Sequence, residues 1–279
     1  MLNRRSMGAI ALAAATAMGI AYAWAHDETK YPDFSGQWSR GSGSAAWDPS
    51  KPGGLKQQPP LTPEYQAIFE ANLASLASGD QAYNQQATCL PSGMPRMMIA
   101  YEPMEVIVTA KTTYVRVDHL SEFRRIYTDG RDWPKDIEPT FAGYSIGKWV
   151  DADGDGKYDV LEVETRGLKA PHAYDATGIP FHKDNAAVIK ERFYLDKTNP
   201  DILRDEVTSI DNALTRPWTV TRTYYRDRDA PWYEHVCAED NHHVVIGKES
   251  YFLSADGSLM PTRKGQPPPD LRFFNQARK

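Results

Sequence analysis

The chain has 279 residues, 41% of them hydrophobic and 25% charged, enough apolar material for one large core or two small ones, which excludes collagen-like and wholly disordered classes. The formal net charge is −5, from 32 Lys and Arg against 37 Asp and Glu, so the basic face that duplex nucleic acid requires is not expected. After residue 25 no apolar run reaches membrane-spanning length, which argues against a multi-span helical membrane protein and against a stable span once a leader is removed.

Residues 1–25 read as an export signal. Arg4 and Arg5 form a positive start, Met7 to Ile20 is apolar and uncharged, and Ala23-Trp24-Ala25 offers small residues to a signal peptidase. The expected location is periplasmic or secreted. The Arg4-Arg5 pair leaves both Sec and twin-arginine routes open. Cleavage after Ala25 makes His26 the first residue, whose amine and imidazole together can chelate copper.

Residues 26–60 are rich in Gly, Ser and Pro and read as an irregular wrapping segment. A helix follows, with Thr62 as cap, Pro63 at its first position, Tyr65, Ile68, Phe69, Asn72 and Leu76 on one face, and Gly79 as its stop. Beyond Met104 the pattern changes to period two. Strands are expected at Met104–Thr109, Thr112–Asp118, Glu122–Thr128, Tyr144–Val150, Tyr158–Thr165, Ala187–Leu195, Leu203–Asp211, Trp218–Arg226, Trp232–Cys237 and Glu249–Leu253. Even spacing without intervening helices predicts a mainly β chain over 61–260: an antiparallel barrel or sandwich, a lipocalin-like meander with one N-terminal helix. Residues 261–279 form a Pro-rich tail.

In an exported chain an even number of cysteines pairs, so Cys89 and Cys237 are expected to form a disulfide. The rival is a metal site using Cys237 with His235, His242 and His243, which lacks a second cysteine at ligand spacing.

The sharpest motif runs from Asp151 to Glu162. Asp151, Asp153, Asp155, Gly156, Lys157, Asp159 and Glu162 occupy positions 1, 3, 5, 6, 7, 9 and 12 of a calcium loop, a spacing that gathers the hard oxygens Ca²⁺ requires. The flanks read as strands rather than helices. The segment is therefore either a structural calcium loop or an acidic hairpin turn that holds nothing.

Glu191 falls in an apolar row with Ile189, Phe193 and Leu195, where desolvation raises a carboxyl toward general acid or base use. The alternative is a buried ion pair with Arg124, Arg125 or Arg131. His182, His172 and the His242-His243 pair lie in loops, as acid/base groups or metal ligands at a barrel mouth, or as ordinary surface residues. Ser145 sits in a G-x-S-x-G string by letter, but on a strand with no following helix, so the nucleophile elbow is missing.

The segments Cys89-Leu-Pro-Ser-Gly-Met-Pro-Arg96, Arg124-Arg-Ile-Tyr-Thr-Asp-Gly-Arg131, Gly143-Tyr-Ser-Ile-Gly-Lys-Trp149 and Pro217-Trp218, with Pro32-Asp-Phe-Ser-Gly-Gln-Trp38, resemble a family of exported bacterial proteins of unknown function. Similar chains are often shorter after Trp149 and lack the triple-aspartate loop. The resemblance thus implies that calcium is an addition in this chain, and it carries over no catalytic residue.

Two functions follow as expectations. One is a periplasmic barrel that binds a small molecule, lined by Arg131, Tyr127, Tyr144, Trp149 and Trp218. The other is a periplasmic lyase or hydrolase for a small anionic or aromatic substrate, with Glu191 or His182 as base and Arg125 or Arg131 as anchor. A structural envelope protein, with an exposed apolar patch and no enclosed site, is the third class.

Overall fold

The computed structural model describes residues 27–41, 43–80, 84–229, 232, 234–240, 242–247 and 249–270; residues 1–25, expected to be an export signal, His26 and the end of the tail lie outside them. Nine strands form the main sheet, most of them marked by period-two alternation: β1 (Gln37–Ser39), β2 (Met104–Val108), β3 (Thr112–Val117), β4 (Glu122–Tyr127), β5 (Tyr144–Val150), β6 (Val160–Arg166), β7 (Val188–Leu195), β8 (Ile202–Ile210) and β9 (Trp218–Asp227). Neighbours in sequence pair with one another, and β9 returns to β1, so the sheet closes on itself as a barrel.

The strand number dictates one departure from the expected meander. A closed ring of nine strands cannot alternate direction all the way round, so one neighbouring pair must run parallel. That pair is β4 with β5, joined at Ile126↔Ser145 and Tyr127↔Ile146. The connection 128–143 carries the chain back along the wall so that β5 restarts in the direction of β4. Gly143 ends it with φ +69, where a Cβ would stand 2.7 Å from Thr165 Cγ2 and 2.8 Å from Arg166 O.

Alternation sends Met104, Val106, Val115, Val117, Ile126, Trp149, Leu161, Val163, Ile189, Phe193, Leu203, Val207, Val220 and Tyr224 inward, where all are buried. β1 falls within the Gly- and Pro-rich stretch read as irregular. It is only three residues long, yet it supplies Trp38 to the core and pairs with both β2 and β9.

One helix, α1 (Pro63–Ala77), packs outside. The Thr62 hydroxyl accepts from Tyr65 N at 3.5 Å, Pro63 opens the first turn, and Tyr65 and Phe69 are buried. Ile68, expected on the same face, is exposed, so the buried stripe is narrower than the spacing suggests. No helix among the described residues is long and apolar enough to cross a membrane.

The strand expected at Trp232–Cys237 does not form. Its described residues are irregular, and Cys237 instead opens a single helical turn, Cys237–Asp240. The barrel is already closed, so no free edge remains there; Trp232 lies under the Arg116 guanidinium, 4.3 Å from its ring centroid. Beyond it β10 (His243–Ile246), β11 (Glu249–Leu253) and β12 (Leu259–Pro261) form a separate antiparallel sheet. The Cys89–Cys237 disulfide joins this region to the segment before β2, with Cα atoms 5.7 Å apart across a separation of 148 residues.

Candidate functional site: a charged core inside the barrel

The interior is not uniformly apolar. β4 turns Arg124 inward, β5 Ser145, β6 Thr165, β7 Glu191, β8 Asp205 and β9 Arg222, each 2% exposed or less. Arg124 grips Glu191 with two parallel bonds, Nη1 to Oε1 at 2.8 Å and Nη2 to Oε2 at 2.5 Å. Its Nη2 also donates to Thr165 Oγ1 at 2.8 Å and its Nε to Ser145 Oγ at 3.1 Å. Every guanidinium nitrogen thus has an acceptor, the condition for a tolerable buried charge. Of the three arginines expected as partners for Glu191, Arg124 is the one, and its bidentate grip takes both carboxylate oxygens. Ser145, the G-x-S-x-G serine, is a ligand of this pair.

Asp205 stands apart. The ladder sets it opposite Phe193 on β7 and Arg222 on β9, with Glu191 diagonal to it. Neither of its oxygens has a hydrogen-bond partner among the described residues. Burial, reinforced by the nearby Glu191 charge and only partly opposed by Arg124 and Arg222, holds the carboxyl well above its usual range. Arg222 spends Nη1 on Ala46 O (3.1 Å) and Trp47 O (2.7 Å) and Nη2 on Ile99 O (3.4 Å), while its Nε is unmet. The Tyr224 hydroxyl donates to Met98 O at 2.5 Å, and burial pushes its pKa well up.

One side of this core is built by residues 92–100. Ser92 N and Gly93 N donate to the buried Glu122 carboxylate at 2.7 and 2.8 Å. Gly93 has φ +65 and lies so close to Phe141 that a Cβ would stand 2.5 Å from its carbonyl oxygen. A 3-10 turn, Arg96–Ile99, follows with all four side chains buried, and Met98 Sδ reaches Arg124 Nη1 at 4.0 Å.

The other expected site residues are dispersed. Arg125 is on the outer face of β4, its guanidinium 5.7 Å from the Phe123 ring centroid. His182 sits in a loop against Tyr65 and Asp184, with Nδ1 2.9 Å from Asp184 Oδ2 and its backbone N donating to Asp211, whereas Glu191 is bound by Arg124. His172 is buried, with Nδ1 2.7 Å from Lys169 O and Nε2 2.8 Å from Met94 O; burial outweighs those contacts and lowers its pKa. The five aromatic and cationic candidates for one pocket occupy three places. Tyr127, Tyr144 and Arg131 meet on the outside at the parallel pair, with Arg131 3.7 Å over the Tyr127 ring. Trp149 packs with Tyr31 and Tyr158. Trp218 packs with Trp47 and Tyr174.

The acidic motif forms the β5–β6 hairpin loop. Asp151 accepts from Gly154 N and Gly156 N at 2.7 and 2.9 Å, and Asp159 from Ala152 N at 2.7 Å. Carboxylate oxygens of Asp151, Asp153 and Asp159 lie within 4.8 Å of one another, a group able to share one cation. Asp155 accepts from Lys157 N, and the Lys157 side chain is exposed. Glu162 is outside that group, on the outer wall of β6 with Arg192 Nε 3.6 Å away. The loop borders a surface hollow of about 540 Å³ lined by Tyr31, Tyr158 and Asp196.

Cys89 and Cys237 are disulfide-bonded, so Cys237 is not a metal ligand. The adjoining His119 stacks edge-on to His235 at 5.0 Å, and burial, with His235 and Arg96 nearby, lowers its pKa to about 4.

Sequence reasoning found Glu191 but not Asp205 or Arg222. The signal was the same: Leu203, Asp205, Val207 and Ser209 alternate with outward residues, as do Trp218, Val220, Arg222 and Tyr224. These features define the class of structure, a closed β-barrel with a charged core. No family model, no curated protein and no solved structure matches the chain.

Proposed function

We propose that this chain is an exported small-molecule-binding barrel whose site is the charged interior. The observation that carries the reading is Asp205: a carboxyl buried in the barrel whose two oxygens, like Nε of the opposed Arg222, have no hydrogen-bond partner among the described residues. Leaving buried polar groups unpaired costs on the order of 1–3 kcal/mol each, so a molecule that satisfied these atoms would recover that cost. A periplasmic or secreted location is supported by the leader-like residues 1–25, and the disulfide is compatible with an oxidising compartment. A calcium ion bracing the β5–β6 hairpin through Asp151, Asp153 and Asp159 completes the proposal, as a structural element outside the binding chamber.

The alternative, a lyase or hydrolase with a Glu191 or His182 base, has less support: both oxygens of the first are held by Arg124, and the second contacts Asp184, Tyr65 and Asp211 instead. The test compares native and denaturing mass of protein expressed with its own leader. An organic mass excess lost on denaturation supports the binding reading, and its absence argues against it. Turnover of any substrate abolished by Glu191→Gln in a folded barrel would favour the enzyme instead.

A further inference from the structure

The unmet atoms in the core also specify what kind of group belongs there. Asp205 and Arg222 hold directly opposed interior positions of β8 and β9, and both Asp205 oxygens and Arg222 Nε are without a hydrogen-bond partner among the described residues. The neighbouring charged and hydroxyl donors each have an acceptor already: all three Arg124 nitrogens on Glu191, Thr165 and Ser145, both Arg222 terminal nitrogens on backbone carbonyls, and the Tyr224 hydroxyl on Met98 O. A group that completes the site must therefore donate to a carboxyl oxygen and accept from a guanidinium N–H.

Charge narrows the choice. An ammonium on the incoming molecule would meet Asp205 but face Arg124 and Arg222, both fully buried; a carboxylate would meet Arg222 but face Glu191 and Asp205. In a low-dielectric interior such like-charge contacts are strongly unfavourable. A neutral group that both donates and accepts meets neither objection. It also suits Asp205 in either protonation state, since a neutral carboxyl presents one donor and one acceptor.

We propose that the interior position between Asp205 and Arg222 takes a neutral donor–acceptor group, a hydroxyl or a primary amide, and discriminates against ionic head groups. The inference rests on the reading of the barrel interior as the binding chamber, but it can stand or fall separately. The hydroxyl has two sources, the alcohol of an organic ligand or a trapped water.

The experiment is a high-resolution crystal structure of the full chain as purified, with native mass spectra of the same protein and of Asp205→Leu. The expected result is an oxygen or nitrogen atom at hydrogen-bond distance from both an Asp205 oxygen and Arg222 Nε, lost in Asp205→Leu. If that atom belongs to an organic molecule and the mass excess disappears in the variant, both the inference and the binding function hold. An isolated water with no mass excess keeps the inference and removes the binding function. A bound ion of either sign at this position, or a carboxylate in direct contact with Arg222 Nε and nothing between, overturns the inference. Should Asp205→Leu fail to fold, Asp205→Asn with the same density criterion decides the matter.

Discussion

Arg124 and Glu191 stand 67 residues apart in the chain and meet as a bidentate pair at the centre of the barrel, 2.8 and 2.5 Å along its two arms. They lie on β4 and β7, three strands apart around the wall, so the bond spans the interior rather than running along a ladder. Removing one partner strands a buried charge. Glu191→Gln or Arg124→Met should each cost about 3–5 kcal/mol in denaturant unfolding. The double replacement Arg124→Met/Glu191→Leu should cost clearly less than the sum of the singles. Strict additivity would mean that the pair is not coupled.

His119 gives the acid side of the stability profile. Its pKa falls to about 4 from an ordinary value near 6.5, because burial and the adjoining His235 and Arg96 disfavour the cation. The unfolded chain therefore binds more protons between those values, and stability rises with pH across that window. Read the other way, stability is lost as pH falls from about 6.5 toward 4. His119→Phe should flatten that slope in pH-dependent melting, whereas an unchanged slope would place the acid sensitivity elsewhere.

The hairpin cluster predicts a weak calcium site. With Glu162 drawn to Arg192 rather than to the carboxylate group, the loop lacks its closing bidentate ligand. Calorimetric titration should give a dissociation constant of about 10⁻⁴–10⁻³ M, abolished by Asp153→Asn without unfolding the barrel. No heat at millimolar calcium would leave an acidic turn and nothing more.

The outer stack at the parallel pair has a mechanical role. β4 and β5 share only the Ile126↔Ser145 and Tyr127↔Ile146 pairs, and across that seam Tyr127, Tyr144 and Arg131 pack together, joined by Trp133 beneath Arg166. Tyr127→Ala removes an aromatic contact and a cation–π contact, about 1–2 kcal/mol together. Hydrogen exchange should then accelerate first in β4 and β5, and uniform acceleration around the barrel would deny the stack this local function.

Breaking the disulfide tests the tie between the barrel and the outlying sheet. In the chain-entropy account, closing so long a loop stabilises by about 3–5 kcal/mol. Cys89→Ser/Cys237→Ser should lower the unfolding free energy by that order and loosen β10–β12 before the barrel in limited proteolysis. Loss of the barrel first would assign the bond a different function.

Much of this architecture was legible because burial in a sheet has a period of two. That rule located eight of the nine barrel strands and put Glu191 inside. It missed Gln37–Ser39, since three residues amid glycines and prolines carry no period, and it proposed a strand at Trp232–Cys237, where the alternation is real but no edge is free. The site was less readable for a related reason. Alternation says which side chains point inward, but whether Glu191 finds Arg124 or is left unmet like Asp205 depends on how strands far apart in sequence are staggered when the barrel closes. The aromatic candidates failed to converge for the opposite reason: Tyr127, Tyr144 and Arg131 have partners of their own outside the wall.

The three residues of β1 have a consequence for how the molecule comes into being. They must hydrogen-bond to β2 on one side and to β9 on the other, at Gln37↔Asp227, Trp38↔Arg226 and Ser39↔Tyr225. A ribosome delivers β1 before any other stave and β9 after all the rest, so the earliest barrel segment waits for the latest. Until β9 emerges the barrel has two raw edges and Trp38 has no finished core to enter. Closure is made by non-local pairing, the slow kind, and the sheet stays open until β9, the last of the nine staves, is available.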